Sequence, residues 1–276
     1  MILPRTPQTH AAVADHYDEL DGIYRSLWGE HVHHGLWRSG RETQAEAVTA
    51  LSDLVGTQLG FAPGDSLVDI GCGYGATARR FAAAGAVVTG LTLSRDQIAH
   101  APAAPRVTLL QRDWLANGLH SGAFEGAYAI ESSEHMADKP AFFAQAARVL
   151  KPGGRLVVCA WLAGENPKPW HVRHLLQPIC DEGQLPSMGS RSDYLDMAKS
   201  AGFDCTAYQD VSASVARTWT ICLRRFGKAM LVDAAMRRHV LSARNRRFAL
   251  SVPRLILAYR TGAMRYGVFT LSKAAP

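Results

Sequence analysis

The chain lacks any apolar run near the roughly 18–20 residues that span a bilayer, and its longest apolar stretches, such as Leu156 to Ala163, are strand-sized. Nothing at the N-terminus resembles a secretory leader either. Prolines, Arg5 and then acidic residues stand where an apolar segment would sit. A cytoplasmic protein is the expectation. The five cysteines (72, 159, 180, 205 and 222) are odd in number and never form a CxxC pair, which argues against a disulfide framework and a zinc site and leaves buried free thiols. Internal repeats and low-complexity linkers are also absent. What remains is ordinary globular material: 276 residues, 47% hydrophobic and 20% charged, enough to bury a sizeable core in one large α/β domain or a domain with an accessory piece.

The formal net charge of +6 is unevenly spread. From Ser212 to Pro276 there are 13 Lys or Arg and a single acid, Asp233, so the first 211 residues carry about −6 and the tail about +12. Charge confined to one terminal segment, with no RNA-binding module beside it, argues against nucleic acid. Three readings of the tail stand: a pair of solvated helices, a basic amphipathic surface for a membrane, or recognition of an anionic acceptor. Arg224, Arg225, Lys228, Arg237 and Arg238 alternate there with Ile221, Leu223, Phe226, Met230, Leu231 and Met236.

The centre alternates strands and helices. Ser66 to Ile70, Ala86 to Leu93, Val107 to Gln111, Ala127 to Ile130 and a strand starting at Arg155 read as β, with helical patterns at 76–84 and 140–150 between them. Strands separated by helices need crossover connections, hence a doubly wound, largely parallel sheet with helices on both faces. Residues 1–60 look helical and rich in His and aromatics. Residues 61–165 form the core, and 166–276 hold an insertion with a Pro-rich loop and a short helix near 191–201, the remaining sheet strands and the basic tail. Ligands of such sheets sit beyond the carboxyl ends of the strands, where the added segments would make a lid.

The first strand ends in Val68-Asp69-Ile70-Gly71-Cys72-Gly73-Tyr74-Gly75, an acid followed by GxGxG rather than the dinucleotide GxGxxG. Glycines there let a ligand approach the backbone. A ligand carrying an amino acid moiety and a nucleoside suits this loop; a tight strand–helix turn is the bland alternative. A base is sought after the fourth strand, where Glu131, Glu134 and His135 cluster. His31, His33 and His34 have weak spacing for a metal and no paired Cys or acid cluster, so a lid histidine with Trp37 is preferred to a ligand set. Tyr17 and Tyr24 share one helical face, and Trp28, Trp161 and Trp170 are available to line an apolar pocket.

These motifs resemble those of the class I S-adenosylmethionine-dependent methyltransferases: VDIGCGYGATA, then VTGLTLSRDQ, Arg112-Asp113-Trp114, and Lys151-Pro152-Gly153-Gly154 entering the fifth strand. The Thr-Leu-Ser in place of the usual ribose-binding acid is similar to the subgroup of tocopherol C-methyltransferases and cyclopropane and mycolic acid synthases. The stretches 27–37, 131–139 and 179–194 resemble the tocopherol branch in particular. The resemblance implies a Rossmann-like, mostly parallel seven-stranded sheet with a helical N-terminal lid and C-terminal additions. It implies S-adenosylmethionine as cofactor, with S-adenosylhomocysteine as product.

Position by position, it implies that Gly71, Cys72, Gly73 and Gly75 line the methionine part, with Asp69 beneath them for the ammonium. Asp113 takes the adenine amino group and Trp114 covers the adenine. Thr92, Leu93, Ser94 and Gln97 replace the missing ribose acid, Ser94 being equally a helix N-cap, and Glu131 and Ser132 face the cofactor. His135 is the expected general base or acceptor-orienting residue, with Glu134 assisting, and Tyr24, His34, Trp37 and Trp161 are expected at the acceptor. That acceptor is a small, largely apolar aromatic, prenylated or alkaloid-like molecule methylated at C, N or O. The alternatives are alkene methylation through a carbocation, where Glu131 or Glu134 would matter more than His135, and a binding module that has lost catalysis. A monomer or homodimer is expected.

Overall fold

The computed structural model describes residues 1–8, 31–232, 238 and 247–274. In chain order these give α1 (Gln44–Leu59), β1 (Ser66–Ile70), α2 (Ala76–Ala83), β2 (Val87–Thr92), α3 (Arg95–His100), β3 (Val107–Gln111), β4 (Phe124–Ile130), α4 (Lys139–Val149), β5 (Leu150–Ala163), α5 (Gln177–Glu182), α6 (Arg191–Ser200), β6 (Phe203–Asp210), α7 (Ser212–Val215), α8 (Arg217–Val232), α9 (Arg247–Thr261) and β7 (Met264–Lys273). One seven-stranded sheet runs β3-β2-β1-β4-β5-β7-β6. The first five pair in parallel, and β7 enters antiparallel between β5 and β6.

Each face of the sheet carries its own core. Leu51, Val55, Leu59, Phe81, Val88 and Tyr128 pack on one side, and Val68, Ile70, Phe142, Phe143, Ala146 and Leu156 on the other. A strand buried on both faces reads as a continuous apolar run, which is why β1, β4 and β5 were visible in the sequence. Pro140 sits in the first turn of α4, where its missing N–H costs nothing, and Asp138 caps it through Ala141 N at 2.8 Å.

Four expectations need correcting. The fourth strand begins at Phe124 rather than Ala127. The fifth begins at Leu150 rather than Arg155, because Phe124 pairs Leu150 before a register shift at Gly126. The Pro-rich loop after residue 165 is short: it ends at Lys168, and Pro169–His171, the wide turn Val172–Leu176 and α5 form one helical run, with prolines at helix starts. The basic tail is more than a pair of solvated helices. Its last part is β7, a strand with buried Tyr266, Val268, Phe269 and Leu271, while α8 and α9 bury Trp219, Cys222, Leu255, Ala258 and Tyr259. Among the described residues no helix is long and apolar enough to cross a membrane.

Candidate active site

The parallel strands all deliver their carboxyl ends to one edge, and the polar motifs follow them there. After β1 the chain turns through Gly71, Gly73 and Gly75, each at positive φ (79°, 54° and 72°), with Gly71 N and Cys72 N both donating to Leu91 O at 2.8 Å. The three glycines do different things. A Cβ on Gly71 would stand 2.3 Å from Ser132 Cβ, and one on Gly75 would stand 2.9 Å from Leu109, so both serve close packing. A Cβ on Gly73 would meet no protein atom within 4 Å. Gly73 instead borders a cleft of about 770 Å³, mouth included, within the roughly 300–1,000 Å³ range of small-molecule sites.

That cleft is lined by Gly71, Gly73, Thr92, Leu93, Ser94, Gln97, Asp113, Trp114, Glu131, Ser132 and His135 of the expected set, joined by Val32, Leu91, Arg112, Ile130 and Met136, which sequence reasoning did not single out. Cys72, Gly75 and Asp69 do not line it; they lie in or under the loop. Burial pushes the Asp69 carboxyl up to about 7.

After β2, Thr92 Oγ1 donates to Gln97 Oε1 (2.7 Å) and accepts from Ser94 N (3.2 Å), while Ser94 Oγ caps α3 by accepting from Gln97 N (3.1 Å). The N-cap reading of Ser94 is thus realised alongside its place on the cleft wall. After β3, Asp113 Oδ1 accepts from Leu115 N, and buried Trp114 donates its Nε1–H to Phe142 O at 3.1 Å, which fixes the indole plane at the cleft.

The turn after β4 carries the densest chemistry. Glu131 sits at φ 55°, a left-handed conformation that an ordinary side chain adopts at a cost. What holds it is four hydrogen bonds. Oε1 accepts from His34 N and Tyr266 Oη, both at 2.7 Å, and Oε2 accepts from His34 Nδ1 and Trp161 Nε1, both at 2.9 Å. Burial acts to raise its pKa, but the pairing with His34 and its hydrogen bonds outweigh it and hold the carboxyl down at about 2. Ser132 ties this turn to β1 by donating to Ile70 O.

Glu134 faces elsewhere. It accepts from Trp161 N at 2.7 Å and lies beside Ser133 Oγ, and burial raises its pKa to about 7. His135 borders the cleft, hydrogen-bonds the backbone of Gln184, and is held down at about 4 by burial and by the Lys139 charge. Lys139, itself buried, bonds Glu134 O, Met136 O and Ser187 O and Oγ, clamping this turn to the segment before α6. Sequence reasoning passed over this lysine, since a lone Lys beside Asp138 reads as surface.

Residues 31–37 cross the edge of the sheet as a strap. Leu36 N bonds Ala47 O, Gly35 N bonds Thr218 Oγ1, and Trp37 N bonds Ser214 O. Two of the three histidine rings are joined: His31 Nδ1 meets His33 Nε2 at 3.1 Å, and His33 Nδ1 donates to the backbone oxygen of His34 at 2.8 Å. Trp37, expected over the acceptor, points instead into the packing with α8, where Nε1–H meets Thr218 Oγ1 and Arg217 lies over its ring. Trp170 is exposed against His171, at the surface rather than in an apolar pocket. Trp161 does stand at the site, through its bond to Glu131. Tyr17, Tyr24 and Trp28 lie outside the described residues.

Comparison with known proteins settles the family. The model of the mycolic acid cyclopropane synthetase family matches residues 5–245. The chain belongs to that family. It is an S-adenosylmethionine-dependent methyltransferase. A probable chloroplastic tocopherol O-methyltransferase of Oryza sativa subsp. japonica is 31% identical, over 97% of this chain and 79% of its own length. The 27-O-demethylrifamycin SV methyltransferase of Amycolatopsis mediterranei is 33% identical over 80% of this chain and 84% of its own. In fold, the cyclopropane synthase MmaA2 of Mycobacterium tuberculosis superposes with a TM-score of 0.84 at 24% identity, covering 96% and 99% of the two chains.

Proposed function

We propose that this methyltransferase acts on a hydroxyl of a small, largely apolar acceptor, a phenol, quinol or natural-product alcohol, with the donor in the cleft between the glycine turn and the β4 turn. The observation that carries this reading is Gly73, whose missing Cβ leaves open space where Gly71 and Gly75 leave none. The remaining lining suits the donor: Thr92, Ser94 and Gln97 for the ribose, Asp113 and Trp114 for the adenine, while Asp69, under the loop rather than on the wall, is the acid nearest the ammonium. When bound, S-adenosylmethionine supplies a methyl group already activated on a sulfonium. The chain's own contribution is then alignment, exclusion of water and handling of one proton. His135, uncharged near neutrality, orients groups at the cleft floor, and Glu134 assists by holding Trp161 N and hence the β5 side of the site. Relatives named for tocopherol, rifamycin and the terpenoid ether (+)-O-methylkolavelool support an oxygen acceptor from specialised metabolism.

The fixed Glu131 carboxylate among Trp161, Trp219 and Tyr266 also fits a second reading, carbocation chemistry at an isoprenoid alkene, since carboxylate and ring faces both favour a cation. A product assay against phenols, quinols, amines and prenyl diphosphates separates the two: an O-methyl product supports the first, and a methyl group on an alkene carbon of the prenyl chain replaces it with the second. For the tail, the outer face of α8 carries Arg224, Arg225, Lys228 and exposed Leu231, which supports contact with an anionic membrane where lipophilic acceptors dissolve. Co-sedimentation with phosphatidylserine vesicles tests it: the wild-type chain pellets, and pelleting unchanged by Arg224→Glu with Lys228→Glu would remove the idea. A reducing cytoplasmic setting suits the five free cysteines, and a monomer or homodimer suits the size.

A further inference from the structure

His34 is the least explained group in the molecule. Its side chain is only 2% exposed, its Nδ1 donates to Glu131 Oε2 at 2.9 Å, and its Nε2 has no hydrogen-bond partner among the described residues. A buried acceptor left unmatched costs roughly 1–3 kcal/mol, so a fold that keeps one usually has a use for it. Around the ring stand four aromatic side chains from four elements: Trp161 of β5 at 5.4 Å, Trp219 of α8 at 5.1 Å, Tyr259 of α9 at 6.0 Å and Tyr266 of β7 at 5.2 Å, inclined at 59–87°.

We propose that His34 is the proton acceptor of the reaction, held in its Nδ1–H tautomer by Glu131 so that the Nε2 lone pair takes the proton of the acceptor hydroxyl. This rests on the methyl-transfer reading above and extends it to a residue carried by the strap. The geometry is that of a base with an orienting carboxylate, a pairing that recurs in enzymes on unrelated folds. In the step, the acceptor O–H bond breaks and its proton passes to Nε2. An oxygen lone pair forms the new O–CH3 bond as the sulfonium C–S bond breaks, leaving its electron pair on sulfur. One positive charge therefore moves from the sulfonium to the imidazole. The imidazolium so formed lies against the Glu131 carboxylate and among ring systems able to stabilise a cation, all in surroundings that screen poorly.

Three arrangements make this assignment better than one on His135. Glu131 has no other partner of its own on the strap, and it spends two of its four hydrogen bonds on His34. The backbone bond from His34 N fixes where the residue sits, and the side-chain bond fixes how the ring is turned. Burial and the charge of Lys139 beside it oppose protonation of His135.

The test combines tautomer and turnover. Nitrogen-15 NMR of histidine-labelled wild-type protein saturated with S-adenosylhomocysteine should show His34, assigned by its loss in His34→Gln, with Nδ1 protonated and Nε2 bare near neutral pH. A ring protonated on Nε2, alone or together with Nδ1, would overturn the proposal. In parallel, His34→Gln should lower kcat for the hydroxyl acceptor found in the product assay by about 10²–10⁴-fold while S-adenosylhomocysteine affinity changes less than about threefold. Turnover within threefold of wild type would equally overturn it. A wild-type chain that fails to bind S-adenosylhomocysteine would instead count against the methyl-transfer reading itself, and a cooperative melt of the variant separates loss of chemistry from loss of fold.

Discussion

Around the donor cleft, the residues that matter are neighbours in sequence: Gly71 to Gly75, Thr92 to Gln97, Asp113 with Trp114. Around Glu131 they are not. His34, Trp161, Trp219, Tyr259 and Tyr266 are scattered over more than 200 residues and meet only because β7 returns between β5 and β6 and the strap crosses the sheet edge. Local turns after strands are what a motif can encode. The cluster around Glu131 is assembled from the strap and the fold's late elements, and its residues carry no common spacing.

The contrast can be broken at either end. The largest effect is expected at the joint between the halves: Gly71→Ala places a Cβ 2.3 Å from Ser132 and forces a left-handed alanine, so it should cost about 3 kcal/mol or more and lower the Tm by several degrees. A Tm within a degree of wild type would mean that the glycine and β4 turns are not locked together. At Glu131, Glu131→Gln keeps the shape but loses the carboxylate charge beside His34 and turns an NH2 towards two of the four donors, so turnover should fall about 10²-fold and the Tm should drop by several degrees. Unaltered turnover would show the four-donor cluster to be scaffolding only.

A smaller effect probes the donor half through pH. Burial holds Asp69 at about 7, so the carboxylate that attracts an ammonium is mostly protonated below that value and mostly ionised above it. Affinity for S-adenosylhomocysteine should therefore rise about tenfold between about pH 6 and about pH 8, and Asp69→Asn should flatten the profile. A wild-type profile already flat would detach Asp69 from the ammonium. The smallest effect concerns the strap's anchor: Trp37→Phe removes one N–H···O bond to Thr218, should cost about 1 kcal/mol, and should leave the acceptor KM within about twofold. A large KM change would return Trp37 to the acceptor side.

Much of the fold was legible because strands covered on both faces leave apolar runs and because Pro and Gly mark the ends of α4 and β1. The start of β5 was not, since Lys151-Pro152-Gly153-Gly154 reads as a break and is carried into a strand by pairing with β4. Nor was the position of β7 within the tail, whose basic surroundings suggested solvated helix while the strand's own alternation was diluted by burial on both faces. At the site, Trp114 and the Thr92–Ser94–Gln97 set could be anticipated because each follows a strand. Glu131 was anticipated on the cofactor side, but its partners could not be, since nothing in the local sequence links a histidine at 34 to a tyrosine at 266. Trp37 misled for the converse reason: it lies three residues from His34 on the same strap, yet its indole is turned into the packing with α8.

The central claim, that the donor occupies the space Gly73 leaves open, is tested most directly by calorimetric titration of S-adenosylhomocysteine into the wild-type chain and Gly73→Val side by side. The account predicts binding on the order of micromolar for the first and at least a hundredfold weaker for the second, with both chains melting cooperatively. Equal affinities, or no binding to the wild-type chain, would contradict it.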